Sequence, residues 1–261
     1  PVATLETYDR AACARLFSFA FRDGGMRNLR FELSPEKRKK MALPAAYVHI
    51  AFARSGVSGF DGLREIYQAS QRKSLPAAQA ILTVLKDLPW FLRAMWWRFV
   101  EHRVLPPNGT KFELHLVTEQ RPDPNNRLSL STGERDLFGL PRLRIDWQVG
   151  DDDKTNFARI ADLVVSEWNA GPLGELALAR AHPQATVGLH IVEGGGIYHP
   201  AGTTRIGKTI EDGVLDSRLR VHGVEGLWAV STAAFPSVGG TSPSMGLLQF
   251  ALRAAKDMAG I

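Results

Sequence analysis

Cysteine is almost missing from this chain: Cys13 is the only one in 261 residues. A single thiol excludes an intrachain disulfide framework and a multi-cysteine zinc site. Charge of one sign is barely in excess, with a formal net charge of +5 at pH 7, which gives no ground for nucleic acid as a partner. No uncharged apolar run reaches the roughly 18 residues of a membrane span. The most apolar stretch, 81–99, is interrupted by Lys86, Asp87, Pro89, Arg93 and Arg98. There is no GxGxxG, and the Gly194–Gly196 cluster follows no convincing strand, so no dinucleotide-binding strand–loop–helix is read. The histidines lack second ligands at metal spacing, His182 and His190 included, and no metal is expected.

What is present is an ordinary globular composition, with hydrophobic residues at 44% and charged residues at 23%, enough for one or two domains with a sizeable core. Residues 6–22 and 60–99 read mainly as helix. The aromatics Trp90, Phe91, Trp96, Trp97 and Phe99 read as helix packed on a core or a subunit, with an interfacial membrane anchor as the lesser alternative. After a turn at Leu105–Gly109 the period changes to two. Phe112, Leu114 and Leu116 alternate with Glu113, His115 and Val117. Leu128 and Leu130, then Leu143, Ile145, Trp147 and Val149, follow the same pattern, as half-buried antiparallel strands. Asp151–Asp153 opens a helix to about Asn169, as a solvated acidic start rather than a metal site. Leu227–Val230 reads as a short apolar strand. Ser242 and Pro243 open the last helix, as N-cap and first helical residue.

The last quarter carries the chemistry. It reads YHPAGTTRIG over 198–207, then GVLDSRLRVHGVEGLWAVSTAAFPSVGGTSPSMGLLQFALRAAKDMAG over 213–260. The ordered series is His-Pro-x-Gly-Thr, Leu-Asp-x-x-Leu-Arg-Val-x-Gly-Val, an apolar strand, Phe-Pro, a small polar turn and a terminal helix. It resembles the C-terminal signature of the glucose–methanol–choline (GMC) family of FAD-dependent oxidoreductases, and the stretch EQRPDPNNRLSLSTGERDLFGLPRLRIDW is similar to that family's substrate-domain strands.

The resemblance implies oxidation of an alcohol or sugar hydroxyl by hydride transfer to FAD. His199 matches the family's base, which accepts the hydroxyl proton; imidazole has the near-neutral pKa that role needs. Ser242 matches the second catalytic position, usually Asn or His; a serine hydroxyl is shorter but still donates and accepts. Thr241, Pro243 and Ser244 match the helix N-terminus that faces the flavin pyrimidine, where amides and dipole favour the negative charge of reduced flavin. Ser231, Thr232 and Ala233 match the strand end that touches the ribityl and pyrophosphate, without the family's usual Asp, and Thr203 is a further flavin contact.

Family members carry the FAD glycine fingerprint near their N-terminus. Its absence here, together with a start at Pro1, leads us to expect the C-terminal half of such an enzyme. An N-terminal FAD-binding half, from the same gene or a separate subunit, would be its partner. The expected fold is α+β. A mostly antiparallel substrate domain with helices on one face spans about 1–195, and 196–261 supplies the C-terminal strand and helix of a Rossmann-like FAD domain. The competing reading is a non-catalytic relative or structural subunit that has lost the second catalytic residue. A soluble protein is expected, cytoplasmic in preference to periplasmic.

Overall fold

The structure is a computed structural model describing residues 1–54, 57–182, 199–240 and 242–260. The chain divides into two compact units. One comprises Pro1–Phe31, Val48–Leu116 and Ala161–Val187; the other comprises Glu32–Tyr47, Val117–Ile160 and Gly188–Ile261. The fold class is α+β with an antiparallel sheet, as the sequence leads one to expect.

The main sheet has the order β4-β5-β6-β1-β9, with β1 Ala3–Thr7, β4 Arg30–Glu32, β5 Ala46–Ala53, β6 Lys111–Thr118 and β9 Ala177–Ala181. Next to its edge strand β9, β1 runs antiparallel to both β6 and β9, with Ala3 opposite Leu114 on one side and Ala181 on the other. The period of two sorts the side chains. Ala3, Leu5, Phe112, Leu114, Ala177 and Ala179 are buried, while Thr4, Glu113 and Arg180 occupy the alternate positions. Helix α1 (Arg10–Phe17) begins where the Asp9 carboxylate accepts the Ala12 N–H at 2.9 Å, and buries Cys13 and Phe17. Phe17, Phe31 and Trp168 form a ring cluster, with Phe17 and Phe31 each 5.7 Å from Trp168 between centroids. The Trp168 Nε1–H donates to the Ala177 carbonyl at 2.8 Å, so the indole is buried without an orphaned donor.

Helix over 6–22 is thus too long a reading. Thr7 still pairs with Ala177 in the sheet, and β2 (Ala20–Arg22) pairs with β3 (Gly25–Arg27) after the helix has ended. Sheet pairing of the flanks outweighs a local periodicity that three apolar positions suffice to mimic. The region 60–99 is helical, in three pieces: α3 Gly59–Gln71, α4 Ala78–Lys86 and α5 Leu88–Phe99. Asp61 accepts the Ser58 N–H at 3.0 Å at the start of α3. On α5, Trp90 and Trp97 lie seven residues apart on one face and are buried, whereas Trp96 and Phe99 are 58% and 71% exposed.

In the second unit lie α2 (Pro35–Met41), the hairpin β7 (Arg127–Arg135) and β8 (Pro141–Asp146), the first half of α6 (Asp151–Ala170), and α8 (Ser244–Ala259). The β7–β8 pairing is antiparallel, with Leu128 opposite Ile145 and Leu130 opposite Leu143. The half-buried reading does not hold: Leu130 is 64%, Leu143 59% and Ile145 66% exposed. The ribbon has only its two strands. Strand β8 also stops at Asp146, before Trp147 and Val149. Asp151 pairs with Lys154 at 2.7 Å and Asp153 accepts the Gly150 N–H at 3.3 Å, so the acidic run serves its own helix start.

The small core of this unit is Leu215, Leu219, Ala234 and Ala254, with Ile206, Trp228 and Phe250 packed against it. Leu227–Val230 is not a strand; a single bridge joins Arg220 to Trp228. A strand needs a ladder, and no further strand among the described residues pairs with this segment.

Candidate functional site

The expected site residues sit around one turn of the second unit. Ser231 caps it, its hydroxyl accepting the Ala233 N–H at 2.9 Å, and Thr232–Ala234 form a single 3-10 turn. The segment after His199 lies against this turn. The Thr232 hydroxyl donates to the Pro200 carbonyl at 3.0 Å, the Thr204 N–H to the Ala233 carbonyl at 3.1 Å, and the Ile206 N–H to the Ala234 carbonyl at 3.0 Å. Helix α8 packs on the same turn, with the Phe235 and Phe250 rings stacked at 4.9 Å between centroids. A Cβ on Gly246 would stand 3.2 Å from the Phe235 ring. Hydrogen bonds and a stacked pair therefore join the segment after His199, the Ser231–Phe235 turn and the last helix.

His199 is exposed, and its imidazole has no hydrogen-bond partner among the described residues. Thr203 is exposed and Ala233 half-buried. Ser231 and Thr232 both spend their hydroxyls on the turn and on Pro200, which is sufficient structural reason for those two residues.

Ser242 is not the N-cap. The helix begins at Ser244, with Pro243 as cap and the Leu247 N–H bonded to the Pro243 carbonyl at 2.9 Å. The Ser242 hydroxyl is exposed and meets the Ser244 hydroxyl at 3.2 Å instead of a backbone amide. Proline at φ −75° with near-helical ψ itself ends the turn, which displaces the cap by one residue. The first turn of α8 consequently has no side-chain cap and no acidic residue. Thr241, Gly194–Gly196 and His190 lie outside the described residues.

A motif match at 202–209 misleads, and a contact at Glu119 escapes a reading by motif alone. Residues 202–209 spell GxxxxGK[ST], the pattern of a phosphate-binding loop. No helix follows it: the Gly207 N–H is tied to the Leu215 carbonyl at 2.8 Å and the segment turns back at 209–213. The required strand–loop–helix is absent, and the pattern is coincidental. The Glu119 carboxylate accepts the Gly239 N–H at 2.9 Å and the Ser237 hydroxyl, across 118 residues of sequence from the latter. No local spacing announces such a contact. An open pocket lined by Pro35, Arg38, Lys39, Ala42, Leu43 and Arg121 includes none of the residues expected from the sequence.

Within the described residues no group of three or more His, Cys, Asp or Glu could hold a metal, and no helix is long and apolar enough to cross a membrane.

The scaffold is antiparallel α+β, and its last helix starts without a side-chain cap. Residues 122–251 match the family model described as GMC oxidoreductase, and this chain belongs to that family. Among curated relatives, the large subunit of fructose dehydrogenase from Gluconobacter japonicus is 28% identical over 147 residues, 55% of this chain and 24% of that protein. Paromamine 6'-oxidase from Streptomyces fradiae is 28% identical over 153 residues, 58% of this chain and 26% of that protein. Among solved structures, pyridoxine 4-oxidase from Mesorbium loti is 18% identical, with 60% of this chain and 31% of that one covered at a TM-score of 0.40. The matches span about a quarter of the length of those curated relatives.

The cofactor the family implies is FAD, and the residues here fit one end of it. The uncapped first turn of α8 offers backbone N–H groups to an electron-rich group, and Ser242 and Ser244 add hydroxyls beside them. For the pyrophosphate end the sequence has no GxGxxG fingerprint.

Proposed function

We propose that this chain is the substrate-facing C-terminal portion of an FAD-dependent enzyme that oxidises an alcohol or sugar hydroxyl. In this reading residues 1–195 are the substrate-binding domain and 196–261 complete the FAD-binding domain. An N-terminal FAD-binding half, on the same polypeptide or a partner subunit, supplies the adenine and pyrophosphate contacts. The observation that carries the proposal is the exposed His199 on a segment hydrogen-bonded to the Ser231–Phe235 turn.

Bound FAD would supply the hydride acceptor. The chain's own residues do the rest. The His199 imidazole accepts the proton of the substrate hydroxyl, which makes loss of hydride from the carbinol carbon favourable. Ser242 orients the substrate oxygen by hydrogen bond, directly or through one water. The Thr241–Ser244 amides would offer hydrogen bonds to the flavin pyrimidine and favour negative charge there. Ser231, Thr232 and Ala233 would contact the ribityl and pyrophosphate of bound FAD, with Thr203 as a further flavin contact.

The test is anaerobic mixing of the flavin-loaded protein with a panel of primary alcohols and reducing and non-reducing sugars. Bleaching of the visible flavin band by at least one alcohol or sugar supports the reading. A serine at 242, where the family usually has Asn or His, favours a second reading, a non-catalytic relative. A stably bound flavin that no hydroxyl donor reduces, while dithionite does, would favour it.

A further inference from the structure

Three donors from two distant stretches converge on the Glu119 carboxylate within the second unit. Oε1 accepts the Gly239 N–H at 2.9 Å and the Ser237 hydroxyl, and Oε2 accepts the Ala45 N–H at 3.4 Å. The Glu119 N–H in turn donates to the Ala45 carbonyl at 2.8 Å. Gly239 stands at φ +75°, where other residues are strained. A Cβ on Gly240 would lie 3.1 Å from the Ala46 nitrogen and 3.4 Å from the Ala45 carbonyl carbon. The loop therefore lies backbone to backbone on Ala45–Ala46, with the carboxylate as its clasp. Three residues after Gly239 comes Ser242, and α8 starts at Ser244, so little slack separates the clasp from the helix start.

We propose that Glu119 is a positioning residue for the Ser242–Ser244 turn. By fixing Ser237 and Gly239 it sets where the first amides of α8 point, and so how well they hold negative charge on a reduced flavin. The proposal rests on the flavin reading above. Charge-assisted hydrogen bonds to backbone N–H groups are among the stronger ones, and a carboxylate that takes three donors leaves the loop few alternatives. A carboxylate of purely structural value would stabilise the fold without affecting the electron-holding end of the helix.

The experiment is an equilibrium one on the flavin-loaded protein, with a redox dye fixing the potential. The ratio of reduced to oxidised flavin is read in wild type, Glu119→Ala, Glu119→Gln and Ser237→Ala. Glu119→Ala is expected to lower that ratio about tenfold, the scale of one lost charge-assisted hydrogen bond. Glu119→Gln, which keeps an acceptor for the Gly239 N–H, and Ser237→Ala should fall between. Hydrogen exchange in peptides covering 237–247 should quicken in the same order. An unchanged ratio in Glu119→Ala overturns the positioning role, whatever its melting temperature. If Glu119→Ala does not fold, unchanged ratios in both Glu119→Gln and Ser237→Ala overturn it equally. A wild-type protein that takes up no flavin overturns the flavin reading itself and the positioning role with it; bound flavin with an unmoved ratio removes the positioning role alone.

Discussion

Asp216 and Arg220 meet three times, once where the Asp216 N–H donates to the Arg220 carbonyl at 2.8 Å. One carboxylate oxygen accepts the Arg220 backbone N–H at 2.9 Å, and the other takes the Arg220 Nε–H at 3.0 Å. The first oxygen also accepts the Arg218 N–H at 2.8 Å. Between them Leu219 is held at φ +67° and is fully buried in the small core. A left-handed leucine is costly unless its surroundings fix it, and this carboxylate does so. Asp216→Ala is expected to destabilise the protein by about 1.5–3 kcal/mol, the range for hydrogen bonds to a charged group, measured by urea unfolding. Burial raises the Asp216 pKa, but the Arg220 and Arg218 amides and the Arg220 guanidinium outweigh it, and the net shift is downward. A lowered folded pKa gives stability that is full above the unfolded value near 4 and is lost as pH falls through the folded one. The stability gap between wild type and Asp216→Asn should therefore be open at neutral pH and close below about pH 4.

Gly207 and Gly213 are a contact that no side chain could share. A Cβ on Gly213 would come 2.4 Å from the Arg205 carbonyl oxygen and 2.6 Å from the Gly207 nitrogen, both backbone atoms that cannot swing away. Gly213→Ala should cost about 1–3 kcal/mol or more as overpacking. Gly133→Ala, where nothing lies within 4 Å of the added carbon, is the control and should stay within about 0.5 kcal/mol. Equal unfolding midpoints for the two variants would contradict the contact.

Much of this was legible in the sequence, and the failures have physical causes. The ordered run from His199 to the last helix is local in chemistry, so it can be read without the fold. Strand β6 was legible because one of its faces is buried and the other is not. Strand β5 was not: Ala46, Tyr47, Val48 and Ile50 are all buried, and an apolar run without alternation has no period to read. The opposite error concerns the β7–β8 ribbon, where alternation is present but the face it marks is exposed. Alternation reports which residues share a face, and what covers the face is a tertiary fact. The Glu119 clasp was invisible for the same reason, since its partners lie 74 to 120 positions away.

Cys13 is fully buried on α1, with its thiol toward the Leu176 carbonyl at 3.8 Å. Burial and the neighbouring Asp9 carboxylate push its pKa up to about 11, against a smaller opposing pull from Arg10. Thiolate is the reactive form, and at pH 8 only about one thiol in a thousand would carry it. Ellman's reagent should leave the native protein unlabelled and titrate one thiol on unfolding in guanidinium. Fast labelling of the native protein would mean that α1 opens readily from the sheet.

His199 offers the most direct test of the chemistry. The side chain is exposed, so His199→Ala should leave unfolding stability within about 0.5 kcal/mol of wild type. If it is the base, the same substitution in the flavin-loaded enzyme should slow anaerobic flavin reduction by about two or more orders of magnitude. The two measurements together separate the roles. A base lost without loss of stability gives slow reduction and an unchanged melt, whereas a structural histidine moves the melt. Reduction at the wild-type rate would exclude His199 from proton transfer and shift attention to the hydroxyls of Ser242 and Ser244. Without a base, those hydroxyls can orient a substrate oxygen but have no high-lying pKa partner to take its proton.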